Sequence, residues 1–424
     1  MSESYQRGPR NARDQWRPIL TGESAAFVFR EAIDIAKDLA SRRHEDKSLA
    51  FQSDLGLLFA YLAVATGHDK WFDLADQSLS TAQSQLDSLQ SRYLSLYGGL
   101  LNFGWTVEHA YRLLEGPDSA GSTNLEALDD LVRRRLIALP EHAGYDLVSG
   151  FVGVGVYFLE RLPAATAVAG LSIVLDRLAA AAIATADGLT WFTPPEHLPQ
   201  YQRDKCPDGY YNLGVAHGVT GVAYLLAQLS AHGPNQSAAT ELLAGCLRWI
   251  LSQRRPAASL SLFSSWSAPG QDSGDSRLGW CYGDLGMAGV LHQVAAVHQT
   301  EDIASLVAEM TDRCSRWPDA SAHINDAGLC HGAVGVGHIF NVLAQATGQP
   351  RYEETAATWI GRAPSYKKPQ AGIAGYLPYQ PTQPHTLAGD ASFLAGAVGI
   401  ALGYLAAVTS IAPAWDRRLL LSCL

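Results

Sequence analysis

A short motif, G-x-x-G followed by apolar residues, recurs seven times along this chain and constrains its fold more than any other feature. Five copies are intact, whereas the first has Ser53 for its first glycine and the second has Asn102 for its second. The copies, in chain order, are QSDLGLLFAYLA, GGLLNFGWTVEH, SGFVGVGVYFLE, HGVTGVAYLLAQ, YGDLGMAGVLHQ, HGAVGVGHIFNV and AGAVGIALGYLA. A repeat of this kind predicts one helical unit per copy, with each unit burying its apolar face against its neighbours.

The segments within and between the copies predict two kinds of helix. Each copy continues as about three turns of apolar sequence, typical of a buried helix, and its paired small residues let backbones approach closely. Amphipathic segments between the copies, such as 124–139 and 240–255, predict outer helices. An open solenoid would need polar caps at both ends, but the terminal copies are as apolar as the central ones.

We therefore predict an all-α fold, an α/α toroid of seven inner and seven outer helices. We expect one domain over residues 1–424, with its repeats at about 49–405.

Three long linkers interrupt this pattern, at 188–211, 254–276 and 363–386. Their prolines and aromatic residues exclude a simple helix. On a toroid such linkers would lie at the rim beside the mouth of the central cavity. We expect them to shape a groove for a substrate there.

Composition limits the classes of partner and compartment. A hydrophobic content of 47% is typical of a folded protein, and a net charge of −10 argues against binding to nucleic acid. The first residues lack the apolar core of a secretory signal. The six cysteines are scattered, which argues against a disulfide framework and favours a reducing cytoplasm.

One uncharged stretch, residues 391–415, is long enough to span a membrane. It is rich in alanine and glycine, contains Pro413 and repeats the glycine pattern of the other copies. We therefore expect a buried helix of the repeat rather than a membrane span.

In every copy we expect the two residues directly before the first glycine to lie at a loop-to-helix junction, and these residues carry most of the chemistry. In copies four to six they are Ala216–His217, Cys281–Tyr282 and Cys330–His331. At the start of a helix, Cys330 and His331 can both turn towards one ion. With Cys281 they provide three ligands for Zn²⁺ and leave a fourth position open, as in catalytic zinc sites. The alternatives are small buried cysteines, or a cysteine nucleophile beside its histidine base, which adjacent residues seldom form.

Four further side chains are candidates for catalysis. His217 stands at the equivalent level of its own copy without a cysteine beside it, so it is a candidate general acid or base. Asp146 precedes copy three and would assist in the same cavity. Arg277 and Tyr282 are donors that would stabilise a developing oxyanion. Each of the last three, taken alone, is better explained as a helix-cap or loop residue. We expect His338 to be a packed or rim histidine.

The motifs NLGVAHGVTG, RLGWCYGDLG and GLCHGAVGVG, in this order on the repeat, resemble the lanthionine synthetase C family of lanthipeptide cyclases. The resemblance extends over about residues 49–405. It implies an α/α toroid with one central zinc ion and the following ligands: Cys281, Cys330 and His331. It also implies four catalytic residues: His217, Asp146, Arg277 and Tyr282.

The resemblance implies that a peptide cysteine thiolate adds to dehydroalanine or dehydrobutyrine in the same peptide and closes a thioether ring. It further implies a dehydrated precursor peptide as substrate, a separate dehydratase, a membrane-associated biosynthetic complex and a bacterial antibiotic pathway. Some relatives bind a thiol such as glutathione without closing a ring. Such a binder would not need His217 and Asp146. A zinc hydrolase is a third alternative, but no glutamate adjoins either cysteine motif.

Overall fold

The structure is a computed structural model that describes residues 16–87, 93–116, 124–140, 142–298, 300–379 and 389–424. Most of these residues are helical. The α-helices are α1 (Gly22–Arg42), α2 (Leu49–Thr66), α3 (Asp69–Gln83), α4 (Leu100–Glu115), α5 (Glu126–Ala138), α6 (Phe151–Glu160), α7 (Ala165–Ala181), α8 (Gln200–Arg203), α9 (Val219–His232), α10 (Gln236–Ser252), α11 (Asp284–His298), α12 (Glu301–Ser315), α13 (Asp319–Ala322), α14 (Ala333–Thr347), α15 (Pro350–Arg362) and α16 (Ala397–Val408).

Seven of the described helices, one from each copy of the motif, form a closed inner ring. They are α2, α4, α6, α9, α11, α14 and α16; each packs against the next, and α16 packs against α2. Six of them carry the helix that follows along the chain as an outer partner: α3, α5, α7, α10, α12 and α15. The outer partner of α16 is α1, so the first helix of the described chain packs against the last inner helix. The predicted α/α toroid of seven inner and seven outer helices is confirmed, whereas a single domain over all of 1–424 stays a prediction.

The second glycine of each intact copy lies against the loop that precedes its own helix. A Cβ atom at Gly335 would clash with the carbonyl oxygen of Leu329, and one at Gly399 would clash with that of Phe393. Both carbonyls belong to the residue six positions earlier in the chain. The close approach that the small residues permit is therefore between a loop and the first turn of its helix.

Copy one departs from the prediction that the residues before the first glycine lie at a loop-to-helix junction. Helix α2 begins at Leu49, where the Ser48 side chain accepts a hydrogen bond from the Phe51 amide, so Phe51 and Gln52, the two residues before the position of the first glycine, lie inside the helix. The prediction is wrong for this copy because Ser48 caps the helix one turn earlier.

Asp54 provides the connection that copy one makes to its neighbours. Its carboxylate accepts one hydrogen bond from the Phe393 amide, in the loop of copy seven, at 3.0 Å. It accepts another from the Asn102 side chain of copy two, at 3.2 Å. Asn102, which replaces the second glycine of copy two, thus belongs to a polar link between the first, second and last copies.

The C-terminal residues 414–424, which we call the central plug, fill the middle of the ring. The plug starts with a 3₁₀-helix, Ala414–Leu419, and it contacts inner helices and the loops that precede them. The contacts include His338 with Asp416, the Trp280 indole with the Leu419 carbonyl, and the Tyr224 hydroxyl with the Ser422 carbonyl. His338 is buried, as expected of a packed histidine.

Short strands form at the rim, where two of the long linkers meet. β1 (Ile183–Thr185) pairs with β2 (Gly188–Thr190), and a second antiparallel sheet has the order β3 (Phe192–Thr193), β4 (Tyr210–Asn212), β5 (Trp266–Ala268) and β6 (Gln271–Asp272). The linkers 188–211 and 254–276 are thus largely non-helical, as predicted. Of the third linker, residues 380–388 lie outside the described part of the chain.

Two apolar stretches bear on the membrane question. Within the described residues, Leu49–Thr66 is one helix long and apolar enough to cross a membrane by length and composition, and 67% of it is buried in the structure. In the uncharged stretch 391–415 only Ala397–Val408 is α-helical, and this helix is a buried member of the inner ring, as expected.

Candidate active site

A series of backbone hydrogen bonds joins the loops that precede successive inner helices. The amide-to-carbonyl pairs are Leu147 to Ala216 at 3.1 Å, Val215 to Cys281 at 3.0 Å, Trp280 to Cys330 at 2.9 Å and Cys330 to Leu394 at 2.8 Å. These bonds align the loops of copies three to seven at one end of the ring. Residues that are widely separated in sequence are brought together in this way.

Cys281, Cys330 and His331 form a cluster at this end of the ring. Their candidate ligand atoms all lie within 4.8 Å of one another. The Nδ1 atom of His331 is buried without a hydrogen-bond partner, so a bound ion would provide the partner that it lacks. Two sulfur ligands and one imidazole nitrogen are a donor set that zinc prefers. The residues therefore fit a zinc ion with one further coordination position.

The surroundings of Cys281 favour its thiolate form. The hydrogen bond that it shares with Cys330 lowers the pKa of Cys281 well below its usual range, and the same bond raises the pKa of Cys330. The Arg277 guanidinium donates to the Cys281 sulfur at 3.6 Å, and its charge further favours the thiolate. Arg277 thus lies beside the cluster, where the sequence predicted a donor.

His217 and Asp146 form a pair beside this cluster. The distance from His217 Nδ1 to Asp146 Oδ2 is 2.6 Å, and the imidazole is 44% exposed. Burial lowers the pKa of His217, but the hydrogen bond and charge of Asp146 outweigh burial, so the pKa is raised overall. Asp146 is itself fixed, because its other carboxylate oxygen accepts from the Ser149 amide at 2.9 Å. Since Asp146 engages Nδ1, Nε2 is the nitrogen that remains for proton exchange with a substrate.

Tyr282 follows Cys281 in the chain, and its ring lies near the imidazole of His217. Its ring centroid is 6.5 Å from that of His217, and its hydroxyl accepts from the Asn212 side chain at 3.2 Å. Burial raises the pKa of Tyr282 to about 12, so the hydroxyl stays protonated at neutral pH. It can therefore donate a hydrogen bond to a substrate.

Two residues at the site were not predicted from the sequence. Asn212 contacts Tyr282, and Asp326 places a carboxylate oxygen 3.9 Å from His331 Nε2. Both stand six residues before the first glycine of their copies, as does Asp390 in copy seven. An Asn or Asp at this repeated position was the signal that sequence reasoning could have used.

A cavity of about 170 Å³ opens directly beside the pair. Asp146, His217 and Tyr282 line it, together with rim residues that include Leu198 and Tyr210. Of the three long linkers, 188–211 therefore borders this cavity, which leaves space for a substrate next to His217.

All seven predicted site residues thus lie at the same end of the ring, although their chemical roles stay predictions. The fold and the cluster together define a class of protein: an α/α toroid with a candidate metal centre where the inner helices begin. A family model described as lanthionine synthetase C-like protein matches residues 55–420. The chain therefore belongs to the lanthionine synthetase C-like protein family.

A solved structure with a similar fold is that of nisin cyclase. The TM-score is 0.73 at 16% sequence identity, over 92% of this chain and 97% of that chain. A comparison with curated protein sequences finds no significant match. At this identity the structural likeness establishes the shared toroid.

Proposed function

We propose that this protein is a zinc-dependent lanthipeptide cyclase that forms lanthionine and methyllanthionine rings. The observation that carries the proposal is the placement of a Cys₂His cluster beside an Asp–His pair, with Val215 and Cys281 joining their loops through one backbone hydrogen bond. A thiol-activating centre and a proton donor are the two components that this reaction requires. Membership of the family and the likeness to nisin cyclase support the same proposal.

Cys281, Cys330 and His331 would hold one zinc ion per chain. When bound, such an ion would lower the pKa of a substrate cysteine and favour its nucleophilic thiolate. Arg277, which donates to Cys281, helps to keep the protein's own ligand deprotonated. The remaining chemistry falls to the side chains around the substrate.

In the proposed reaction, the substrate sulfur bonds to the β carbon of dehydroalanine or dehydrobutyrine. The electron pair of the carbon–carbon double bond moves into an enolate, which accepts a proton at the α carbon. His217, with its pKa raised by Asp146, donates that proton from Nε2 and is reprotonated from water. Arg277 and Tyr282 donate hydrogen bonds to the enolate oxygen. The thiol loses a proton and the α carbon gains one, so the mass of the peptide is unchanged.

The substrate of this reaction must already contain dehydrated residues. We propose a dehydrated precursor peptide that is supplied by a separate dehydratase, in a membrane-associated complex on the cytoplasmic side of a bacterial cell. The net charge of −10 is compatible with a cationic peptide but does not require one. The cavity beside His217 gives the reacting segment access to the proton donor.

A protein that only binds a thiol such as glutathione would use the same metal ligands. It would have no need of a proton donor whose imidazole is oriented by a carboxylate. The 2.6 Å contact between His217 and Asp146 therefore supports the cyclase over the thiol-binding alternative.

The experiment uses a synthetic peptide with one cysteine and one dehydroalanine, incubated with the zinc-loaded protein. Ring closure consumes the thiol without a change in mass, so alkylation of residual thiols followed by mass spectrometry measures it. His217→Asn should keep zinc but slow ring closure by about 10²- to 10⁴-fold, the usual contribution of a general acid. Ring closure by His217→Asn at the wild-type rate would exclude the assigned proton donor. Wild-type protein that binds the peptide thiol without closing the ring would instead identify a thiol-binding protein.

A further inference from the structure

Asp326 is a buried carboxylate next to the candidate metal ligand His331. Its side chain is 4% exposed, and Oδ2 lies 3.9 Å from His331 Nε2. Oδ1 accepts from the Gly328 amide at 2.9 Å, and Oδ2 accepts from the Tyr379 amide at 2.8 Å. The carboxylate is thus fixed by two backbone groups while it faces the imidazole.

The turn that contains Asp326 does not need a negative charge. In copy four, Asn212 occupies the same position and its side-chain oxygen accepts from the Gly214 amide at 2.9 Å. In copy seven, Asp390 accepts in the same way from the Ser392 amide at 2.7 Å. An asparagine therefore forms this turn as well as an aspartate does, and the turn alone does not account for a carboxylate at 326.

Burying a carboxylate is costly unless a positive charge or several donors compensate it. Among the described residues, no lysine or arginine pairs with Asp326 within 4.0 Å, and the nearest basic group is the His331 imidazole at 3.9 Å. On the other side of the same imidazole, Nδ1 is buried without a hydrogen-bond partner. The two ring nitrogens therefore face two different environments: Nε2 faces a carboxylate, and Nδ1 lacks a partner.

We propose that Asp326 is a positioning residue for the metal ligand His331. Its carboxylate keeps the proton of the neutral imidazole on Nε2, so that Nδ1 carries the lone pair that binds the metal. Its charge also makes the imidazole a stronger donor. This inference rests on the proposed metal site, and it adds a residue outside the three ligands that determines metal affinity.

The test measures zinc affinity of the full chain by competition with a chromophoric chelator. Asp326→Asn keeps an oxygen for the turn, as Asn212 does naturally, but removes the charge beside His331. We expect zinc affinity to fall by about 10- to 100-fold. The matched control is Asp390→Asn, which makes the same change in the equivalent turn of copy seven and should bind zinc as the wild type does.

A second measurement is made on the wild-type protein, so it does not depend on how well Asp326→Asn folds. In wild-type protein labelled with ¹⁵N-histidine and loaded with zinc, NMR should identify a His331 imidazole with metal on Nδ1 and a proton on Nε2, assigned with a His331→Asn sample. Metal on Nε2 would overturn the proposal, as would equal zinc affinities of the wild type and of Asp326→Asn. If the wild type itself binds no zinc, the proposed metal site fails, which is a different result from either of these.

Discussion

Arg418 of the central plug is a residue whose removal should strongly destabilise the toroid. Its side chain is fully buried, and its guanidinium donates to Asp54 at 3.3 Å and to the Leu96 carbonyl at 3.1 Å. The guanidinium also lies over the Phe393 ring, with 4.2 Å between its carbon and the ring centroid. Arg418 therefore connects the plug to copies one and two, which depart from the glycine pattern, and to copy seven.

Arg418→Met keeps much of the side-chain volume but leaves the Asp54 carboxylate buried without a cation. Breaking a buried ion pair in this way typically costs about 3–5 kcal/mol. The free energy of unfolding of a typical domain is about 5–15 kcal/mol, so the loss would be a large part of the total. We expect Arg418→Met to fold at low temperature and to unfold at a clearly lower urea concentration.

The loss should also depend on pH. Burial raises the pKa of Asp54, and the Arg418 charge opposes that rise. Without Arg418 the folded-state pKa rises further above the unfolded value, so folding favours the protonated form. In the variant, the free energy of unfolding is therefore higher at low pH, and it falls as pH rises from the pKa of Asp54 in the unfolded chain towards its pKa in the folded protein. The difference between variant and wild type should therefore be smaller at mildly acidic pH than at pH about 8.

The assay is urea unfolding followed by far-ultraviolet circular dichroism at both pH values. Arg316→Met provides the control, because Arg316 pairs with Asp312 at 2.8 Å on the surface, where its side chain is 61% exposed. Such an exposed pair should contribute less than about 1 kcal/mol. A loss for Arg418→Met no larger than that of the control, or one that does not change with pH, would refute this account of the plug.

Two further predictions concern the site. Cys330→Ala should reduce bound zinc from one ion per chain to none; elemental analysis measures this, and a full equivalent of zinc in the variant would exclude the ligand set. Asp146→Asn removes the group that raises the pKa of His217, so less of the imidazole is protonated at neutral pH. The limb of the pH–rate profile that reports loss of the acid should therefore shift to lower pH with zinc content unchanged, and an unshifted limb would contradict the pairing.

The ring could be predicted from the sequence because its cause is local and repeated. Each intact copy carries the glycines that let a loop fold against its own helix, and the terminal copies are as apolar as the others. What could not be predicted is how copy one is joined to its neighbours. Asp54, Phe393 and Arg418 are far apart in the chain, and their association depends on closure of the ring.

The site, like the ring, could be predicted from the sequence only where its residues follow the repeat. Cys281, Cys330, His331 and His217 occupy repeated positions before the first glycine, so their common level in the ring follows from the repeat. Asp326 also stands at a repeated position, but the repeat does not predict its contact with His331. Its turn is shared with copies that lack a metal cluster, and its approach to His331 depends on how the loop folds.

The most direct test of the proposed chemistry is ring closure in deuterium oxide. Zinc-loaded protein should convert a peptide with one cysteine and one dehydroalanine into a product that lacks a free thiol. That product should carry one carbon-bound deuterium for each ring, retained after transfer to ordinary water, because the α carbon takes its proton from His217, which exchanges with solvent. Loss of the thiol without any carbon-bound deuterium would contradict the proposed addition and protonation.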